Sequence, residues 1–167
     1  CSILLMNINL SINDIDALVF DFDGVLTDNL VYLDSKGNEI VCCSRSDGLA
    51  FDILRKLEKP SYILSTEKNP VVSARAEKLK IEAIQGVLNK ADAINELAKK
   101  HNFNLKRILF VGNDLNDLAA MELCGYRACP SDSHMEIKKL SDIVLESPGG
   151  KGVVRELLEN SFNIDFK

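Results

Sequence analysis

Short apolar runs recur along this 167-residue chain, and several are apolar at almost every position. They fall at 17–22, 61–65, 83–87, 107–111 and 142–145, with a further short one at 126–129. A strand that is apolar throughout must be covered on both faces, the condition of a parallel sheet between helical layers. Helical patterns occupy the gaps. Within 48–58, Leu49, Ile53, Leu54 and Leu57 share one stripe. Asn69-Pro70 supplies a cap and a proline at the first helical position, which predicts a helix to about Lys80. Further helices are expected at 90–101, 116–123, 134–140 and roughly 152–160. Such a βαβ series predicts an α/β fold with an open, Rossmann-like parallel sheet. The length suits a single domain spanning 1–167.

One segment breaks the rhythm. Leu30 to Leu33 and Glu39 to Cys43 are short extended runs around Asp34-Ser35-Lys36-Gly37-Asn38. They predict a β-hairpin with a glycine-containing loop over about 30–43. A projecting hairpin exposes strand edges, which favours pairing within an oligomer. No inserted stretch is long enough to form a separate lid.

The chain carries 20 basic and 25 acidic residues, a formal charge of −5, which argues against nucleic acid as its main partner. No apolar run approaches the length of a membrane span. Five cysteines, Cys1, Cys42, Cys43, Cys124 and Cys129, fit neither a zinc nor a disulfide spacing, and a reducing, cytoplasmic setting is expected. The chain starts at Cys1 rather than Met, as expected of a trimmed chain or a piece of a longer one.

The chemistry collects at the ends of the apolar runs. The first run leads into Asp21-Phe22-Asp23-Gly24, two carboxylates two residues apart followed by a residue that turns the chain. Alternation sends both acids to one side and Phe20 and Phe22 to the other, into the core. Converging carboxylates repel unless a cation or proton lies between them. The second run ends at Ser65-Thr66. Lys90 opens a helix after Gly86. The run 107–111 leads into Gly112-Asn113-Asp114-Leu115-Asn116-Asp117. In a parallel sheet these pieces share the edge where open α/β proteins bind ligands. A carboxylate nucleophile, a hard cation, a hydroxyl, a lysine and a second acid are the components of phosphoryl transfer.

In that order these four motifs resemble those of the haloacid dehalogenase superfamily. They are most similar to its capless branch containing 3-deoxy-D-manno-octulosonate 8-phosphate phosphatase. Related members act on sialic-acid-like nonulosonate 9-phosphates, and similar domains are fused to acylneuraminate cytidylyltransferases. The resemblance covers Asp21 to Glu156. It implies a magnesium-dependent phosphatase of a 2-keto-3-deoxy sugar acid phosphate. Asp21 would be the nucleophile and Asp23 the general acid/base, with its backbone carbonyl on Mg2+. Ser65 and Lys90 would hold the phosphoryl group. Asn113 stands where the branch usually has an aspartate on the metal, and Asp114 or Asp117 would supply the missing charge.

Substrate contacts are expected from Arg45, Asp47, Thr66, Glu67, Lys68 and Lys151. Arg45-Ser46-Asp47-Gly48 stands in place of the branch's Arg-Asp-Gly, with its arginine one position early. Ser65-Thr66-Glu67-Lys68 stands in place of Thr-Gly-Arg-Lys. The acid in place of the arginine points towards a larger, nine-carbon sugar acid. Lys151 lies in Gly149-Gly150-Lys151-Gly152, similar to a glycine-rich segment of the family. The resemblance also implies a homotetramer with the hairpin at its interface. The alternative is a weakly active or inactive oligomerising domain of a cytidylyltransferase.

Overall fold

The computed structural model describes residues 10–167; Cys1 lies outside them. The chain runs β1 (Ala17–Phe20), β2 (Thr27–Leu33), β3 (Glu39–Cys43), α1 (Arg45–Lys56), β4 (Ser61–Leu64), α2 (Val71–Leu79), β5 (Glu82–Ile84) and α3 (Lys90–His101). It continues through β6 (Ile108–Val111), α4 (Leu118–Leu123), β7 (Tyr126–Cys129), α5 (Met135–Leu140), β8 (Ile143–Val144) and α6 (Val153–Glu156). Six strands form one parallel sheet in the order β5-β4-β1-β6-β7-β8. From β1 the chain builds one side through β4 and β5. It then crosses to the other side for β6, β7 and β8, so the strand order reverses at β1. The crevice at such a reversal is where open sheets take ligands.

The alternation of side chains along the strands divides the core in two. Leu18, Phe20, Ile63, Leu109 and Val111 pack on one face with Phe51 and Leu54 of α1, Val72 and Ala76 of α2, and Val153 and Val154 of α6. Val19, Tyr62, Leu64, Ile108 and Phe110 pack on the other with Ile94 and Leu97 of α3, Met121 of α4 and Ile137 of α5. Each large apolar side chain so buried stabilises the fold by roughly 1.5–3 kcal/mol. Phe20 meets Phe51 edge to face at 5.3 Å, so the strand leading to the acidic motif is anchored directly beneath it.

The elements fall where the sequence pattern puts them, with informative differences at their ends. The regular pairing of β1 stops at Phe20, and Phe22–Leu26 form a tight turn with Gly24 at φ 84. Phe22 is nonetheless fully buried, as the alternation predicts. The hairpin strand β2 begins at Thr27, straight out of this turn, rather than at Leu30. Helix α1 begins at Arg45, three residues before the apolar stripe suggests. Ser44 caps it, its hydroxyl accepting from the Ser46 N–H, so Gly48 lies inside the first turns rather than at the helix start. The last regular helix is shorter than 152–160, and a wider turn carries Leu157–Ser161 onward. Among the described residues no helix is long and apolar enough to cross a membrane. Cys42, Cys43, Cys124 and Cys129 are free thiols.

Candidate active site

The register brings the motifs together. Phe20 pairs with Ile63 on one side and Val111 on the other. Asp21, Ser65 and Gly112 therefore follow the ends of three adjacent strands. Helix α3 adds Lys90 as its first residue, fixed by Asn89, whose side chain accepts from the Ala91 and Asp92 N–H groups. The cavity so formed is lined by Asp21, Asp23, Asn29, Ser65, Thr66, Asn113, Asp114 and Asn116 and measures about 120 Å³. A larger cavity, about 280 Å³, opens at the opposite edge beside Ser61 and Glu82, where the strands begin. It lacks the converging acids and the buried lysine, and chemistry rather than volume identifies the site.

A buried ion network forms the floor. The Lys90 ammonium lies 2.6 Å from Asp21 Oδ1 and 2.6 Å from Asp117 Oδ1. Asp117 Oδ2 accepts the backbone N–H of Asn113 at 2.9 Å and of Asp114 at 3.3 Å. Asp117 thus ties the lysine to the fourth motif from beneath and does not line the cavity. Burial would depress the Lys90 ammonium, but Asp21 and Asp117 outweigh it and raise its pKa. Burial, reinforced by the charge of Asp117, pushes Asp21 up to about 7 despite Lys90. Burial and then the neighbouring Glu67 also raise Asp23.

Asn113 is the hinge of the arrangement. Its side-chain amide stands 2.9 Å from the Asp23 carbonyl oxygen and 3.1 Å from Asp21 Oδ2. With its nitrogen turned inward the amide donates to both. With its oxygen inward, three oxygens meet, an arrangement that a cation, or a proton on Asp21, relieves. Separations near 3 Å match the edges of an octahedron with metal–oxygen distances of about 2.0–2.1 Å, the geometry of magnesium. The donor set of one carboxylate, one carbonyl and one amide therefore fits a hard divalent ion. Among the described residues no group of three His, Cys, Asp or Glu side chains does so. A side chain on Gly24 would overlap the Asn113 amide, so the turn after Asp23 has to be glycine.

Ser65 is buried, its hydroxyl oxygen accepting from the Glu67 N–H at 3.1 Å. That leaves its proton for a bound anion. Thr66 is exposed on the rim. Glu67 turns back on its own loop and accepts from the Lys68 and Asn69 N–H groups at 2.7 and 2.8 Å. Asn69 reaches the hairpin through Glu39 at 3.1 Å. Asp114 is exposed, accepts from the Leu115 N–H and lines the cavity. Lys68, Lys151 and Arg45 are exposed. Lys151 is carried by a loop whose Gly149 and Gly150 press on the Gly24–Asp28 backbone so closely that neither has room for a side chain.

Asp47 is a correction. It is not among the cavity residues but is buried between α1 and α6, where Oδ1 accepts the N–H groups of Val154 at 3.0 Å and Arg155 at 3.2 Å. It caps a helix. Conversely, Asn29 and Asn116 line the cavity without having been singled out from the sequence. Asn116 lies inside the fourth motif and was legible there. Asn29 depends on where β2 begins, and no local signal marked that.

A hydrolytic site at the switch point of a capless α/β sheet, with an Asp-x-Asp turn and a buried lysine, defines a class. The chain belongs to the haloacid dehalogenase-like hydrolases, whose family model matches residues 49–157, and it is a phosphatase of that family. It is 31% identical over 147 residues to 3-deoxy-D-manno-octulosonate 8-phosphate phosphatase of Haemophilus influenzae, covering 87% of this chain and 82% of that protein. Its fold matches a haloacid dehalogenase family hydrolase from Streptomyces avermitilis with a TM-score of 0.88 and 41% identity, over 90% of this chain and 86% of the other. It also matches the Moraxella catarrhalis 3-deoxy-D-manno-octulosonate 8-phosphate phosphatase in complex with a magnesium ion, a phosphate ion and a KDO molecule. There the TM-score is 0.84 and the identity 29%, over 90% of each chain.

Proposed function

We propose that the chain is a magnesium-dependent phosphomonoesterase of a 2-keto-3-deoxy sugar acid phosphate, working through an aspartyl-phosphate on Asp21. The observation that carries this reading is the division of labour between the two Asp21 oxygens. Oδ1 is held by Lys90 at 2.6 Å and the Phe22 N–H at 2.7 Å, while Oδ2 faces Asn113. Asp21 Oδ2, the Asp23 carbonyl and the Asn113 amide oxygen would hold magnesium. When bound it neutralises the carboxylates and polarises the phosphoryl oxygens. Asp21 Oδ1 attacks phosphorus as the bond to the ester oxygen breaks. Asp23, its pKa raised, gives its proton to the departing alkoxide. As a carboxylate it then takes a proton from water, which attacks phosphorus and frees Asp21 and inorganic phosphate. Lys90 and the Ser65 hydroxyl steady the charge on the phosphoryl group.

The relatives' names support an eight-carbon sugar acid phosphate, while Glu67-Lys68 at the second motif favours a nine-carbon one. Phosphate release in magnesium, from octulosonate 8-phosphate and nonulosonate 9-phosphates in parallel, tests both points. Selective turnover that is lost in Asp21→Asn is the expected result. No turnover from either class by folded protein would overturn it. The hairpin presents Leu30, Val31, Tyr32, Leu33 and Ile40 at 54–66% exposure, an apolar surface that supports an interface between copies of the chain, which we read as that of a homotetramer. A monomeric mass in solution would remove that part of the reading. The free thiols accord with a cytoplasmic location.

A further inference from the structure

We propose that Asn29 is a specificity-determining residue, its amide binding a hydroxyl close to the ester oxygen of a polyhydroxy phosphomonoester. The inference rests on the phosphatase reading above. A cavity of about 120 Å³ is well short of the roughly 300 Å³ at which small-ligand pockets begin. It takes the phosphoryl group, and the rest of the substrate lies across the rim. Among the cavity-lining residues, Asn29 is the one contributed by the hairpin.

Three observations put its amide to that use. Its backbone N–H is already committed to the Thr27 hydroxyl at 3.2 Å, while the residue is exposed at the rim and its side-chain amide makes no hydrogen bond to the described residues, so it is free to exchange water for a ligand. A Cβ built on Gly24 would lie 3.2 Å from the Asn29 amide carbon and would overlap Asn113. The two amides therefore flank the same glycine, directly after Asp23, and both line the cavity that Asp23 lines. Finally, Asn29 has φ 63, a left-handed conformation that suits glycine better than any residue with a side chain. Asparagine is among the few residues with a side chain that take this conformation readily, so the backbone holds the residue in place while its amide, with two donors and an acceptor, meets a hydroxyl in either sense.

Asn29→Gly keeps the backbone conformation and removes only the amide, so folding is not at risk. The test is the ratio of kcat/KM for octulosonate 8-phosphate or nonulosonate 9-phosphate to that for p-nitrophenyl phosphate, which has no hydroxyl near its ester oxygen. The ratio is expected to fall about five- to tenfold, mostly through KM, the worth of one hydrogen bond to a neutral group. The melting temperature should stay level or rise. An active wild type and a variant with the same ratio would overturn this inference alone. A wild type that releases phosphate from neither ester would overturn it together with the phosphatase reading.

Discussion

Two carboxylates of this molecule, Asp21 and Asp47, are buried to nearly the same degree, at 4% and 1% exposure. Burial raises both, Asp21 to about 7 and Asp47 to about 6. Both accept backbone N–H groups. They differ in what else converges. Asp21 has a lysine on one oxygen, an amide and a carbonyl by the other, and a cavity beside it. Asp47 has the N-terminus of α6 on Oδ1, while Oδ2 is buried with no hydrogen-bond partner. A raised pKa reports burial. The cation and the open space, rather than the shift, separate a site from a strained cap.

The sharpest way to break that comparison is to remove the cation. Lys90→Met leaves Asp21 and Asp117 buried side by side with no positive partner. The expected cost is about 3–5 kcal/mol, read by urea unfolding at pH 8. The loss should shrink at pH 5, because Asp21, raised to about 7, is then protonated. A variant as stable as the parent at pH 8 would show that the network is solvated rather than closed.

Asp47 offers the complementary experiment. The folded protein keeps a proton on Asp47 up to about pH 6, whereas the unfolded chain releases it near the ordinary carboxylate value. Between those values stability falls as pH rises, and above them the full penalty, about 3 kcal/mol, remains. Asp47→Asn retains an oxygen for the Val154 and Arg155 N–H groups and carries no charge. Its stability relative to the parent should therefore climb between pH 4 and pH 7 and then level off. A difference independent of pH would contradict the burial argument.

How far the sequence reached follows the same division. The sheet was legible because its strands are apolar on both faces, and the motif order alone placed Asp21, Ser65, Lys90 and Asn113 on one edge. Asp47 was misplaced because linear spacing cannot tell a helix cap from a rim residue. Its role depends on α6, more than a hundred residues later. Asn29 was missed for the opposite reason. Nothing in Thr27-Asp28-Asn29 reveals that β2 leaves the Gly24 turn at once and folds its third residue over the site. Local pattern reports periodicity and caps, while long-range packing decides which polar residue faces which space.

The smallest expected effect is also the most specific, because it acts on the neutral member of the site. Asn113 carries no charge, so without a cation its amide nitrogen can donate to Asp21 Oδ2 and the Asp23 carbonyl, and the oxygen cluster is satisfied. Asn113→Asp removes those donors and adds a second carboxylate to the cluster. Without metal the cost is about 1–3 kcal/mol, a fall in melting temperature of several degrees in EDTA for a chain of this size. With magnesium the added charge becomes an asset, and the ion should bind more tightly by calorimetry, since affinity rises with the charge of the ligand set. The melting temperature gained on adding magnesium should therefore be larger in the variant than in the parent. If the EDTA melting temperature and the magnesium affinity both stay put, the amide faces neither the carboxylate nor the ion. If only the affinity rises, the metal-free oxygens are already relieved by solvent, and Asn113 acts as a ligand without first serving as a donor.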